Sequence, residues 1–240
     1  MGRSFGWTLA LLALVLLVAE TTTLDLRVQD FFYTFEVGRW WIDKEAYWPR
    51  VIFYTGAKWA VVLVAIGILV ALLWSRKSPS LIPCRRPLMV LLLSLILVPG
   101  TISSLKNVTN VHCPWSLTRY GGTLPFVPVL DTQPADFPAV RPGKCYPAGH
   151  PSGGFAFMAL FFLFSTRRRQ WLGLGFGISL GWIMGIYQMM KGAHFLSHVL
   201  VSMLLSWLII QGVAWGVERK FISNHESDPR KEGNSPCSIV

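Results

Sequence analysis

At 240 residues, 52% hydrophobic and 14% charged, the chain is too apolar for an ordinary soluble domain, where about a quarter of residues are charged. Its mean hydropathy is +0.47. The net charge of +10 does not indicate a nucleic-acid binder, because the cations gather in short breaks between apolar runs and no nucleic-acid motif accompanies them.

A spanning helix needs about 20 mostly apolar residues. Taken in chain order, six segments are candidates: residues 5–22, 59–74, 88–105, 151–166, 171–190 and 195–217. The first is also readable as a cleaved signal peptide, since its apolar stretch is short and small residues follow. The fourth is short but continuous and rich in Phe. No internal repeat accompanies them. The expected architecture is all-α, a six-helix membrane domain over residues 1–222 with a polar, disordered cytoplasmic tail at 223–240.

The cationic breaks set orientation. Arg76, Lys77, Arg85 and Arg86 separate the second and third segments; Arg167, Arg168 and Arg169 separate the fourth and fifth; Arg219 and Lys220 follow the sixth. With Arg3 they fall on one side, which the positive-inside rule makes the cytoplasm, so both termini are expected there. The outer side receives residues 20–58, 106–150 and a short turn at 191–194. Trp40, Trp41, Tyr47 and Trp48 suit the headgroup level, so part of the first outer loop is expected along the membrane surface. Of four cysteines, Cys84 and Cys237 fall inside. Cys113 and Cys145 share the second outer loop, where an oxidising compartment favours a disulfide between them.

The reactive side chains collect on the outer side. Lys106 ends the third helix, His150 precedes the fourth, and the turn Lys191–His198 carries Lys191, His194 and His198. In a six-helix bundle these points meet at one end, with Arg119 as a further cation. Two imidazoles can serve as nucleophile and general acid. Cations hold an anion and stabilise charge on a transferring phosphoryl group. Gly149 and Gly153 let the backbone approach a ligand, and the start of the fourth helix offers free N–H groups to a phosphate.

At these residues the sequence resembles the type 2 phosphatidic acid phosphatase family, membrane phosphatases related to vanadium haloperoxidases. The family pattern is Lys-x6-Arg-Pro, Pro-Ser-Gly-His and Ser-Arg-x5-His-x3-Asp. Here it reads Lys106 with Cys113-Pro114, then Pro147-Ala148-Gly149-His150, then Tyr187-Gln188 with His194 and His198. The resemblance covers residues 88–217. The arginines are replaced by Cys113 and Gln188, the serine by Ala148 and the aspartate by His198. A divergent branch with Cys-Pro-Trp, Ala-Gly-His and Gly-Ala-His-Phe-x-Ser-His at these places is similar.

The resemblance implies a phosphatidic acid phosphatase/haloperoxidase-like bundle with an outer-side active-site loop. It makes His194 the nucleophile that forms a phosphohistidine, His150 the acid that protonates the leaving group, and Lys106 a phosphate ligand. His198 would orient His194, Arg119 and Lys191 would replace the lost arginines, and Ser152 would replace the lost serine. The implied enzyme is a phosphoric monoester or diphosphate hydrolase, needing no cofactor and no metal. It would act on a lipid phosphate or diphosphate at the outer leaflet of a bacterial inner membrane, its active site facing the periplasm. Its partners would be membrane lipids and its lipid substrate, not nucleic acid. A phosphotransferase with a lipid acceptor is the close variant. A zinc-type metalloprotein is the alternative from another class: His194 and His198 lie at i, i+4, with His112 and His150 as further donors, yet no acidic residue accompanies the pair. A transporter is disfavoured because the helices carry almost no ionisable residues.

Overall fold

The computed structural model describes residues 2–75, 77–131 and 142–227. Helix dominates, and the one sheet among these residues is a hairpin of β1 (Tyr33–Thr34) with β2 (Arg39–Trp40), antiparallel with Tyr33 opposite Trp40. Five helices are long and apolar enough to cross a membrane, with spans at Ser4–Thr21, Tyr47–Trp74, Leu81–Leu105, Arg167–Met190 and Leu196–Lys220.

In chain order, α1 (Gly2–Thr21) leads to a short α2 (Leu24–Asp30) and the hairpin. Next, α3 (Tyr47–Arg50) runs through a π-helical turn, Val51–Gly56, into α4 (Ala57–Trp74). A 3₁₀ turn, Pro79–Cys84, precedes α5 (Arg85–Leu105). Then α6 (Gly149–Phe155) tightens into a 3₁₀ segment, Ala156–Phe162. Two long helices close the chain, α7 (Arg167–Met190) and α8 (Leu196–Ser227).

Three boundaries differ from expectation. The second crossing begins at Tyr47 rather than residue 59, so its 28-residue rod takes in residues assigned to the outer loop. Pro49 sits in its first turn, where a missing N–H costs nothing. At 1.5 Å per residue the rod is about 42 Å long, more than the hydrocarbon core of about 30 Å, so its first turns reach headgroup level. The last helix runs to Ser227, past the expected start of the tail; the rest of that tail, residues 228–240, lies outside the described residues. The fourth segment is helical only over residues 149–162 and is not among the five long spans. Its 3₁₀ half rises about 2.0 Å per residue, so the whole reaches about 25 Å.

That segment is the centre of the core. Leu91, Leu95, Val98 and Ile102 repeat at helical spacing on α5 and pack with Phe155, Met158 and Ala159, against Val199 and Ile210 of α8. From the other side α7 presents Gly173, Gly177, Gly181 and Gly185, four residues apart. A Cβ at Gly177 would lie 2.2 Å from the Met158 nitrogen, and one at Gly181 would lie 2.0 Å from the Phe155 ring. The absent side chains let the two backbones touch, as small residues do between membrane helices. By contrast α1 and α4 turn most of their surface outward. Gln211 of α8 donates to Ser4 Oγ (3.2 Å) and Thr8 Oγ1 (3.4 Å), tying α1 to the bundle.

The first outer segment forms a buttress under the α7–α8 turn. Gln29 donates to the Met189 carbonyl (2.8 Å) and the Ile42 N–H to that of Met190 (3.2 Å). Trp40 packs on Gly192, whose φ of +71° suits a residue without a side chain, and a Cβ there would lie 2.4 Å from the indole. Buried Asp25 accepts from the Ser197 N–H (2.8 Å) and hydroxyl at the start of α8. Trp41, Tyr47 and Trp48 stay exposed.

Candidate active site

Three chain segments converge on one cavity of about 800 Å³. Lys106 follows the last turn of α5, Gly149 and His150 open α6, and His194 lies in the turn held by the buttress. All four line the cavity. Gly149 packs on the lysine: a Cβ there would lie 3.4 Å from Lys106 Cδ and 3.8 Å from its Nζ. Cys113 and Cys145 are joined by a disulfide with Cα atoms 5.2 Å apart, and both line the wall.

His194 is buried, and its Nδ1 lies 2.7 Å from the Cys145 carbonyl oxygen. A carbonyl only accepts, so Nδ1 carries the proton and Nε2 keeps its lone pair. Burial, then the neighbouring His198 and Lys106, holds this imidazole well below the usual histidine range. His150 Nε2 lies 2.6 Å from the Phe53 carbonyl oxygen, and Tyr54 stacks on its ring at 4.5 Å and 17°. Burial depresses His150 as well, offset by the Phe53 contact and reinforced by Lys191, Lys106 and Lys58.

The cavity is strongly cationic. Lys44, Arg50, Lys58, Lys106, Lys144 and Lys191 line it, against a single acid among the described residues, Glu45. Lys106 is lowered by burial and then by Lys144; Lys191 is lowered by burial and Arg50 and raised by Glu45. Lys191 Nζ stands over Tyr54 (5.3 Å) and Tyr187 (4.8 Å). Cationic walls of this kind concentrate an anionic group and stabilise charge as it develops.

Three expected members are elsewhere. Arg119 forms a two-pronged pair with Asp30 (2.8 and 2.6 Å) and does not line the cavity. That carboxylate neutralises the guanidinium and holds it away from the cavity. Ser152 is fully buried and gives its hydroxyl to the Gly149 carbonyl (2.5 Å), so it is no stand-in for the missing serine. His198 is buried behind the site, its ring 5.8 Å from that of His194, and the orienting contact comes from Cys145 instead. Its Nδ1 has no hydrogen-bond partner among the described residues. Ala148 is fully buried too, its N–H donating to the His198 carbonyl (3.2 Å).

The metal alternative finds no donor set: among the described residues no three His, Cys, Asp or Glu side chains group together, and His112 lines a separate cavity with Asp131. Sequence reasoning missed Lys44, Arg50, Lys58 and Lys144. A signal was present for two of them: Arg50, Tyr54 and Lys58 are four residues apart, one face of a helix.

A family model of the PAP2 superfamily matches residues 87–222, more than half of the chain and all three converging segments. The chain belongs to the PAP2 superfamily. No curated protein and no solved structure matches it. As a PAP2 protein with several long apolar helices it is an integral membrane protein of phosphatase type. The two positions where the family pattern has arginine, Cys113 and Gln188, both face the cavity, and neither supplies a charge.

Proposed function

We propose that this PAP2 protein is a lipid phosphatase, releasing phosphate from a lipid phosphate or diphosphate at the outer leaflet through a phosphohistidine on His194. The observation that carries this reading is the buried His194 at the cavity wall, held through Nδ1 by the Cys145 carbonyl with Nε2 free. Nε2 attacks phosphorus as the bond from phosphorus to the lipid oxygen breaks. His150 supplies the proton that the departing oxygen takes. A bound phosphate offsets the charges of Lys191, Lys106 and Lys58 that depress His150, and so favours its protonated form. Water then attacks the phosphohistidine, the P–N bond breaks, and His150 takes a proton from that water. The lysines hold the phosphate oxygens throughout.

The test uses detergent-purified protein, a panel of lipid phosphates and diphosphates, and phosphate release measured with EDTA present. Wild type releases phosphate, vanadate blocks it, and His194→Ala loses at least about 10³-fold and traps no phosphoenzyme. His150→Ala loses more on a lipid than on a nitrophenyl phosphate, whose leaving group needs less protonation. Near-normal activity in His194→Ala, or activity removed by EDTA and restored by zinc, would sink the reading.

A further inference from the structure

Among the described residues, the family-matched part of the chain leaves the cavity without a guanidinium. Cys113, at one arginine position of the family pattern, is held in a disulfide, and Gln188, at the other, is neutral. Yet a phosphate is best gripped by a planar fork of N–H donors, which lysine does not provide. Among the described residues that line the cavity there is one arginine, Arg50, and it lies outside residues 87–222.

Arg50 ends α3 and leads straight into the π-helical turn Val51–Gly56. Wide turns of that kind recur at functional sites. Here the turn carries both groups that hold His150: the Phe53 carbonyl, 2.6 Å from its Nε2, and the Tyr54 ring stacked on its imidazole. Tyr54 also receives Lys191, whose ammonium feels the charge of Arg50. His150 and Lys191 thus meet at one aromatic ring at the cavity wall, and Arg50 lies near enough to Lys191 for their charges to interact. Arg50 is solvent-exposed, and no carboxylate engages it in an ion pair among the described residues, in contrast to Arg119.

We propose that Arg50 is the guanidinium that grips the substrate phosphate in place of the two motif arginines, and that the turn Val51–Gly56 positions His150 beside it. The chain therefore draws part of its phosphate site from the first outer segment, which the family pattern does not contain. This inference rests on the phosphatase reading of the cavity.

Orthovanadate serves as the probe, its binding to detergent-purified protein measured by calorimetry for wild type, Arg50→Gln, Arg50→Lys and Arg119→Gln. Loss of a charge-assisted fork weakens binding by about 10- to 100-fold in Arg50→Gln. Arg50→Lys keeps the charge and recovers part of the affinity. Arg119→Gln binds as wild type, and all four proteins melt at the same temperature. The kcat/KM on a lipid phosphate falls in step with vanadate affinity. Wild-type vanadate affinity in Arg50→Gln overturns the assignment, as does an equal loss in Arg119→Gln, which would reduce the effect to bulk charge. Vanadate binding that depends on Arg50, in a protein with no turnover of lipid phosphates, would uphold Arg50 and remove the proposed substrate.

Discussion

A carbonyl and a carboxylate orient an imidazole differently, and His194 has the carbonyl. The oxygen of Cys145 fixes the tautomer as an aspartate would, but it brings no full negative charge to steady an imidazolium. Burial and the nearby cations therefore prevail, and the folded-state pKa of His194 lies well below 6.5. A nucleophile must be neutral, so activity is retained as pH falls through the ordinary histidine range and is lost only below it. Lys106 is one of the charges that depress His194. Lys106→Met removes it, so the acid limb of kcat/KM moves to higher pH, read on one nitrophenyl phosphate for both proteins so that the titration of the substrate cancels. A limb that stays in place, or moves down, contradicts this electrostatic account. Much of the candidate site was legible at this scale, because Lys106, His150 and His194, which line one cavity, sit in motifs of fixed spacing. The Cys145 carbonyl was not, since a backbone atom leaves no signature in residue type. The contact expected from His198 is made in the structure by that backbone oxygen.

At the scale of elements, the helices were legible from apolar length, but their ends were not. Tyr47–Gly56 reads as a loop because Pro49, Arg50 and a run of aromatics interrupt the apolar pattern, yet the chain continues as helix through them. The packing partner of α6 was also written in the sequence. Gly173, Gly177, Gly181 and Gly185 recur every four residues, which places them on one face of α7. That face seats the segment carrying His150, so its integrity bears directly on the site. Gly177→Val drives a side chain into the Met158 backbone, where nothing flexible can yield. It costs at least about 3 kcal/mol, the upper end for overpacking. Gly175 lies on the same helix with open space around it, and Gly175→Val stays within about 0.5 kcal/mol of wild type. Thermal unfolding in detergent separates the two, and an equal effect from both substitutions would deny the close-packed face.

For the whole molecule, the cavity itself reports how the chain is threaded. It gathers the start of the α3–α4 rod, the residue after α5, the start of α6 and the turn between α7 and α8. The end of α1 is there too, since Asp25 bonds to Ser197 and Glu20 accepts from the Leu130 N–H (3.2 Å). Every second helix end therefore lies at this end of the bundle, and the breaks with Lys77, Arg85 and Arg167–Arg169 lie at the other. This alternation requires the segment carrying α6 to traverse the bundle as the long helices do. At about 25 Å it is shorter than the hydrocarbon core, and the surrounding helices bury it, so it need not match lipid by its own length. The sequence made the alternation legible through its cations but not the shielding of the fourth segment, because burial by neighbours has no local pattern. Combined with the positive-inside rule, the threading predicts where reporters will read. Fusions after Lys77 and after Arg168 report the cytoplasm, and one at Asp131 reports the outside. A fusion after Arg168 distinguishes the alternatives most sharply. If α6 looped back without crossing, Arg168 would emerge on the same side as Asp131, and an external signal there would overturn the six-crossing arrangement. A cytoplasmic signal, with Asp131 outside, places Lys106, His150 and His194 together on the outer face, where a lipid phosphate of the outer leaflet meets them.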